Sequence, residues 1–223
     1  MIIFGHRGAP GYPRRAENTI GSFRKALQYG ATGLEMDVRR TRDGRLVVIH
    51  DDTIDRTTNG SGRVRDLTYE ELRGFDAGCG EPIPLLTDVL NEFGGQCWLN
   101  IELKDPGIAP DVKRLVLERQ LETHVIVSTF DWEELRPLRP EISIALLSSR
   151  LWNLVRRARE LGASAIHPRR NIVTARLIAS AREAKLRVHV WTVNDPAEMV
   201  RLRELGIDGI FTDFPERCST SAS

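Results

Sequence analysis

Three short segments place titratable residues where a core would carry apolar ones: Gly5-His6-Arg7-Gly8, Glu35-Met36-Asp37 with His50 after it, and Asn100-Ile101-Glu102-Leu103-Lys104. Alternate residues of an extended strand share a face. Glu35 and Asp37 therefore project from one side of one strand, and Asn100, Glu102 and Lys104 from one side of another. Carboxylates grouped in this way repel and raise one another's pKa. A hard divalent cation relieves the repulsion, and a donor set made only of oxygen suits Mg²⁺ or Ca²⁺ better than Zn²⁺. The competing reading is a buried ion-pair network in which Arg7, Arg39 and Lys104 neutralise the same carboxylates. His6 and His50 follow strands beside this group, and imidazole changes charge near neutral pH.

The elements that must position these groups alternate along the chain. Apolar runs predict strands at 2–5, 33–39, 45–50, 98–103, 124–128, 142–147, 164–167, 187–192 and 208–211. Amphipathic stretches predict helices at 18–29, 68–74, 86–94, 110–121, 131–136, 151–161, 173–185 and 196–205. Asp131, Thr174 and Asp195-Pro196 supply helix starts, and Gly162 and Gly206 supply stops. Repeated βα units imply a parallel sheet. With 45–50 set aside, the remaining strands fit an α/β fold of the closed (β/α)8 TIM-barrel type. An open doubly wound sheet is the alternative, but no Gly-x-Gly-x-x-Gly follows the first strand.

In a barrel the functional face lies at the C-terminal strand ends. If Leu34, Met36 and Val38 pack on the helices, Glu35, Asp37 and Arg39 face the interior. By the same alternation His189 and Trp191 face inward, and Trp191 is either core or an apolar wall for a substrate. His189 reads as a layer below the site, His167 ends a strand from which it could line the mouth, and His124 reads as structural. Asp43-Gly44 signals a two-residue hairpin that pairs Arg42 with Arg45, and so His50 with Asp37. Residues 1–216 read as a single domain, with 51–84 a small excursion over the mouth and 217–223 a frayed tail.

Composition narrows the function classes. Lys plus Arg is 32 against 31 for Asp plus Glu, a net charge of +1, which gives no support for a nucleic-acid partner. Three cysteines without a Cys-x-x-Cys pair indicate reduced thiols. No signal-peptide pattern opens the chain, and no apolar run approaches the ~18 residues of a spanning helix. The expectation is a cytoplasmic protein without stable membrane association.

The motifs His6-Arg7-Gly8, Glu17-Asn18-Thr19, Glu35-Met36-Asp37-Val38, Asp43-Gly44, His50-Asp51 and Asp55-Arg56-Thr57-Thr58 occur in this order. Gly60 and Gly62, Ile83-Pro84-Leu85, Asn100-Ile101-Glu102-Leu103-Lys104, Trp191-Thr192-Val193-Asn194, Asp208-Gly209-Ile210 and Thr212-Asp213 follow. In that order and spacing the chain resembles the glycerophosphodiester phosphodiesterase family, in particular its small bacterial members. The resemblance implies a TIM-type barrel with a small insertion after the second strand. It also implies metal-dependent hydrolysis of a small-molecule glycerophosphodiester to sn-glycerol 3-phosphate and an alcohol. By position, Glu35, Asp37 and Glu102 would hold one divalent cation, Mg²⁺ or Ca²⁺, and His6 and His50 would be the acid–base pair. Arg7 and Lys104 would contact phosphate, and Asn18 would support the site. The link Gly11-Tyr12-Pro13-Arg14-Arg15-Ala16 departs from the family pattern. It is longer than usual and has Ala16 where a proline is common, which bears on substrate choice. The rivals are a lysophospholipase D-type enzyme and a non-catalytic phosphodiester-binding barrel. A sugar-phosphate isomerase barrel would want a Gly-rich phosphate loop, and Thr212-Asp213-Phe214-Pro215 is not one.

Overall fold

Among the described residues eight parallel strands close on themselves, and a ninth lies antiparallel at the rim. The computed structural model describes residues 1–10 and 16–221; Arg14 and Arg15, with most of the unusual 11–16 link, lie outside the described residues. In chain order the elements are β1 (Ile2–His6), α1 (Ile20–Gln28), β2 (Gly33–Arg40), β3 (Leu46–Val48), α2 (Tyr69–Leu72), α3 (Leu86–Phe93), β4 (Trp98–Leu103) and α4 (Ala109–Leu117). There follow β5 (Val125–Thr129), β6 (Ser143–Ser148), α5 (Leu154–Glu160), β7 (Ala165–Pro168), α6 (Ala175–Glu183), β8 (Arg187–Val190), α7 (Pro196–Glu204) and β9 (Gly209–Thr212). The sheet order β1-β9-β8-β7-β6-β5-β4-β2 returns to β1 through a β1–β2 pairing, so this is a TIM-type (β/α)8 barrel. β3 pairs antiparallel with the end of β2 that extends beyond β1.

Local chemistry accounts for most boundaries. α1 opens on a reciprocal cap: the Ser22 amide donates to Thr19 Oγ1 and the Thr19 amide to Ser22 Oγ, both at 3.2 Å. Thr174 caps α6 through the Leu177 amide, and Asp195 caps α7 ahead of Pro196. The expected helix at 131–136 is instead a 3-10 helix, Trp132–Leu138. Pro137 lies inside it and removes a donor, and Asp131 makes no capping bond.

The hairpin between β2 and β3 differs from expectation by one residue. The Thr41 amide donates to Arg45 O at 2.9 Å and the Gly44 amide to Thr41 O at 3.1 Å, which leaves a three-residue loop. Gly44 adopts φ +78°, the left-handed position that such a loop requires. The register is therefore Val38 with Val48 and Arg40 with Leu46. His50 is not the cross-strand partner of Asp37. The ladder ends at Val48, the Ile49 amide donates to Asp37 O at 2.9 Å, and the chain then carries His50 over the mouth.

Outward residues of the strands build the main core. Leu34, Met36, Val38, Leu99, Ile101 and Leu103 are buried among the helices, as the alternation requires. Met36 separates two inward carboxylates yet packs on the opposite face, so it distinguishes stability from chemistry. Met36→Ala is expected to cost about 2–5 kcal/mol, measured by urea unfolding.

Inside the barrel, below the mouth, Phe4, Phe211, His167 and His189 pack together. His167 Nε2 and His189 Nδ1 lie 3.1 Å apart. Burial pushes His189 down to about 3 and His167 well below its ordinary value, so both stay neutral. His167 is fully buried in this layer rather than at the mouth, and His124 is exposed. Residues 51–84 form a small cap around Ile54, Val64, Leu72, Ala77 and Ile83. At the start of the stretch expected to fray from 217 onward, Pro215–Ser221 is a 3-10 helix, and Cys218 is buried with its Sγ 3.6 Å from Met199 Sδ. Residues 222–223 lie outside the described residues. Among the described residues no helix is long and apolar enough to cross a membrane.

Candidate active site

The C-terminal ends of β1, β2 and β4 bring the titratable segments to one cavity. Glu35, Asp37 and Glu102 each offer an oxygen within 4.8 Å of the others'. Their charges are unevenly compensated. Burial and the adjacent Asp37 push Glu35 up to about 8. Glu102 is raised for the same two reasons. Asp37 is held below its ordinary value although it is buried, because Arg7, Lys104 and His50 surround it and Asn18 donates to it. Two of three carboxylates thus resist ionisation where they stand, and the donor set is oxygen throughout. Asn100 also lines the cavity, and its buried Oδ1 has no hydrogen-bond partner. The group fits a hard divalent cation better than a closed ion-pair network. Arg39, one of the cations that network would require, pairs with Asp105 instead.

Arg7 turns the chain just after β1. Gly8 adopts φ +91°, and a Cβ there would collide with the Ser22 side chain, so only glycine fits. The Arg7 amide donates to Glu35 Oε2 at 2.9 Å. Its guanidinium reaches Glu17 Oε1 at 3.0 Å and Asp37 Oδ2 at 3.3 Å. Asn18 Nδ2 donates to Asp37 Oδ2 at 2.9 Å, and Lys104 Nζ lies 2.8 Å from Glu102 and 3.7 Å from Asp37.

Both histidines are held through Nδ1 by a carboxylate, at 2.7 Å for His6 with Asp213 and 2.6 Å for His50 with Asp51. Both side chains line the cavity, and with Nδ1 engaged by a carboxylate in each, Nε2 is the ring nitrogen outside that contact. Burial opposes charge on His6, but Asp213 and Glu35 outweigh it and the pKa is raised. For His50 burial prevails over Asp37 and Asp51, and the pKa is lowered. Trp191 lines the same cavity with Phe130, the two rings meeting edge to face at 5.6 Å between centroids. Trp191 Nε1 donates to His167 O at 2.6 Å, so the buried histidine layer supports this wall.

All nine residues singled out from the sequence gather here: His6, Arg7, Asn18, Glu35, Asp37, His50, Glu102, Lys104 and Trp191. The supporting shell has no assignment from sequence. Asp51 and Asp213 stand inside recognised motifs without a role. So do Glu17 and Arg56, which form one unit: Arg56 donates to both oxygens of Glu17 and both of Asp51 at 2.6–3.1 Å. Phe130, Leu147 and Phe211 complete the wall and carry no sequence signal beyond ordinary apolar runs.

The model of the glycerophosphoryl diester phosphodiesterase family matches residues 6–217. The chain is 37% identical to a glycerophosphodiester phosphodiesterase of Caldanaerobacter subterraneus subsp. tengcongensis, over 96% of this chain and 95% of that one. It superposes on a putative glycerophosphoryl diester phosphodiesterase from Silicibacter pomeroyi with a TM-score of 0.90, at 27% identity, covering 99% of this chain and 92% of that one. An Oleispira antarctica phosphodiesterase, solved with its product sn-glycerol-3-phosphate, superposes with a TM-score of 0.86 at 27% identity, covering 99% and 96%. With barrel, cavity and motifs in agreement over nearly the whole length, the chain belongs to the glycerophosphoryl diester phosphodiesterase family and is a phosphodiesterase.

Proposed function

We propose that this enzyme hydrolyses small glycerophosphodiesters, such as glycerophosphocholine and glycerophosphoethanolamine, to sn-glycerol 3-phosphate and the free alcohol, with Mg²⁺ or Ca²⁺ held by Glu35, Asp37 and Glu102. One observation carries the reading: three carboxylates, two of them raised by burial and by the third, converge beside two histidines that each have a carboxylate behind them. Binding alone does not call for two oriented imidazoles. The product bound to the Oleispira relative supports the choice of substrate class.

A phosphodiester anion repels nucleophiles. When bound, a divalent cation supplies Lewis acidity toward a phosphoryl oxygen. Arg7, beside Glu35 and Asp37, adds a fixed guanidinium against the charge that builds on the equatorial oxygens, and Lys104 adds an ammonium. One imidazole accepts the proton of the attacking hydroxyl, either water or the substrate's own glycerol hydroxyl, the latter forming a cyclic phosphate that a water molecule then opens to glycerol 3-phosphate. The other donates its proton to the leaving alkoxide as the P–O bond breaks. Asp51 and Asp213 fix each ring so that Nδ1 is engaged and Nε2 exchanges the proton. Trp191 and Phe130 form the apolar wall.

Arg56 braces Arg7 through Glu17 and His50 through Asp51. Arg56→Ala is therefore expected to lower kcat about 10- to 100-fold with little change in KM, read from steady-state kinetics. The substrate class is tested by glycerol 3-phosphate release from glycerophosphocholine and glycerophosphoethanolamine beside lysophosphatidylcholine. Faster release from the two water-soluble diesters supports the reading. Turnover of the lysolipid alone would replace it with the lysophospholipase D-type activity.

A further inference from the structure

Among the described residues only six large apolar side chains are exposed, and three stand on adjacent loops at the barrel mouth: Phe130 at 50% after β5, and Leu151 at 47% with Trp152 at 80% after β6. The chain around the neighbouring loops is rich in arginine and poor in acidic residues. No Asp or Glu occurs between Glu141 and Glu160, or between Glu160 and Glu183. These stretches hold the loops after β6 and β7, with Arg150, Arg169 and Arg176 exposed. None of these three makes an ion pair among the described residues, whereas Arg170 pairs with Glu198 at 3.0 Å. The two stretches meet where α5 and α6 begin: Leu151, Leu154 and Arg156 share a groove with Thr174, Arg176 and Leu177.

We propose that this rim docks on an anionic lipid bilayer, with Leu151 and Trp152 entering the interface and Arg150, Arg169 and Arg176 facing the headgroups. Tryptophan favours the boundary between hydrocarbon and headgroup, where its ring is buried and its N–H is wet. Arginines beside an apolar tip add attraction to a negative leaflet. Two neighbouring residues at a loop tip are too little surface for a stable protein interface, which needs about 800 Å² per partner. They are enough for reversible attachment assisted by charge. The patch shares the C-terminal face of the barrel with the cavity, so docking turns the mouth toward the bilayer. The near-neutral net charge conceals this, because it averages a cationic sector against acidic ones elsewhere. The proposal rests on the surface alone and holds whatever substrate the cavity takes.

The test is co-sedimentation of the full chain with vesicles of phosphatidylcholine alone or mixed with phosphatidylglycerol, at low and physiological salt. Binding to the anionic vesicles that weakens with salt is expected, with a blue shift of tryptophan fluorescence that Trp152→Ser removes. The double variant Leu151→Ser/Trp152→Ser should lose at least about tenfold in vesicle affinity, and Arg150→Glu or Arg169→Glu about fivefold or more each. These side chains are exposed, and an unchanged melting curve checks that the variants fold. No binding to anionic vesicles at low salt overturns the proposal, as does equal binding by the double variant. A concentration-dependent dimer that Trp152→Ser dissociates would give the patch to a second copy of the chain and also overturn it.

Discussion

His6→Ala and His50→Ala are each expected to lower kcat by at least ~100-fold while the protein stays folded. Each imidazole handles one proton of the reaction. Without it that proton must pass to or from water, which is a poor acid and a poor base at neutral pH. Neither ring is part of the apolar core, so unfolding temperatures should change little. The wild-type profile of kcat/KM against pH should be a bell: activity falls at low pH as the base takes up a proton and at high pH as the acid loses one. Each variant should lose one limb of that bell. Asp213→Asn and Asp51→Asn keep the shape of the ring partner but remove the charge behind Nδ1. They should give intermediate losses. A fall of less than about fivefold in either alanine variant would remove that histidine from the chemistry.

Asp37→Asn should abolish the response of the protein to divalent cations. In the native chain a cation at about 100 times its dissociation constant adds roughly 2.7 kcal/mol to stability. For a protein of this size that is a rise of roughly 5–10 °C in Tm. Asp37 is the carboxylate to change because it is central: both Glu35 and Glu102 are raised partly by its charge, and Arg7, Lys104, His50 and Asn18 all turn toward it. The Asp37→Asn substitution would leave Arg7 and Lys104 facing a neutral amide, so the metal-free variant should also be less stable than the metal-free native protein. Glu102→Gln should weaken the cation response with a smaller effect on the apo protein, since among the described residues Lys104 is the one cation paired with it. A full cation-induced rise in Asp37→Asn would show that the ion binds elsewhere.

The barrel and most of its site are legible in the sequence because they depend on short-range rules. Period-two alternation separates Leu34, Met36 and Val38 from Glu35 and Asp37 whatever the rest of the chain does. Thr174, Asp195 and Pro196 signal helix starts through bonds that span only a few residues. The differences arise where geometry depends on one residue of register or on distant packing. Asp43-Gly44 marks a turn, but the loop holds three residues rather than two, and a one-residue slip removes the expected pairing of His50 with Asp37. His50 reaches the mouth by leaving the ladder, which no pairing rule describes. His167 ends a strand, which points to the mouth, yet the ring turns into a layer with His189, Phe4 and Phe211. The brace from Arg56 to Glu17 and Asp51 joins residues 39 and 5 positions apart, and only the folded cap brings them together. The small polar residues of the tail suggest fraying, but Cys218 anchors it as an apolar group against Met199.

The measurement that bears most directly on the central claim is glycerol 3-phosphate release from glycerophosphocholine by chelator-treated enzyme, before and after Mg²⁺ or Ca²⁺ is restored. No release is expected after chelation, with recovery on return of one of the two cations and no recovery in Asp37→Asn. Undiminished release after exhaustive chelation would contradict it, because the three carboxylates would then have to work without the ion that their arrangement fits.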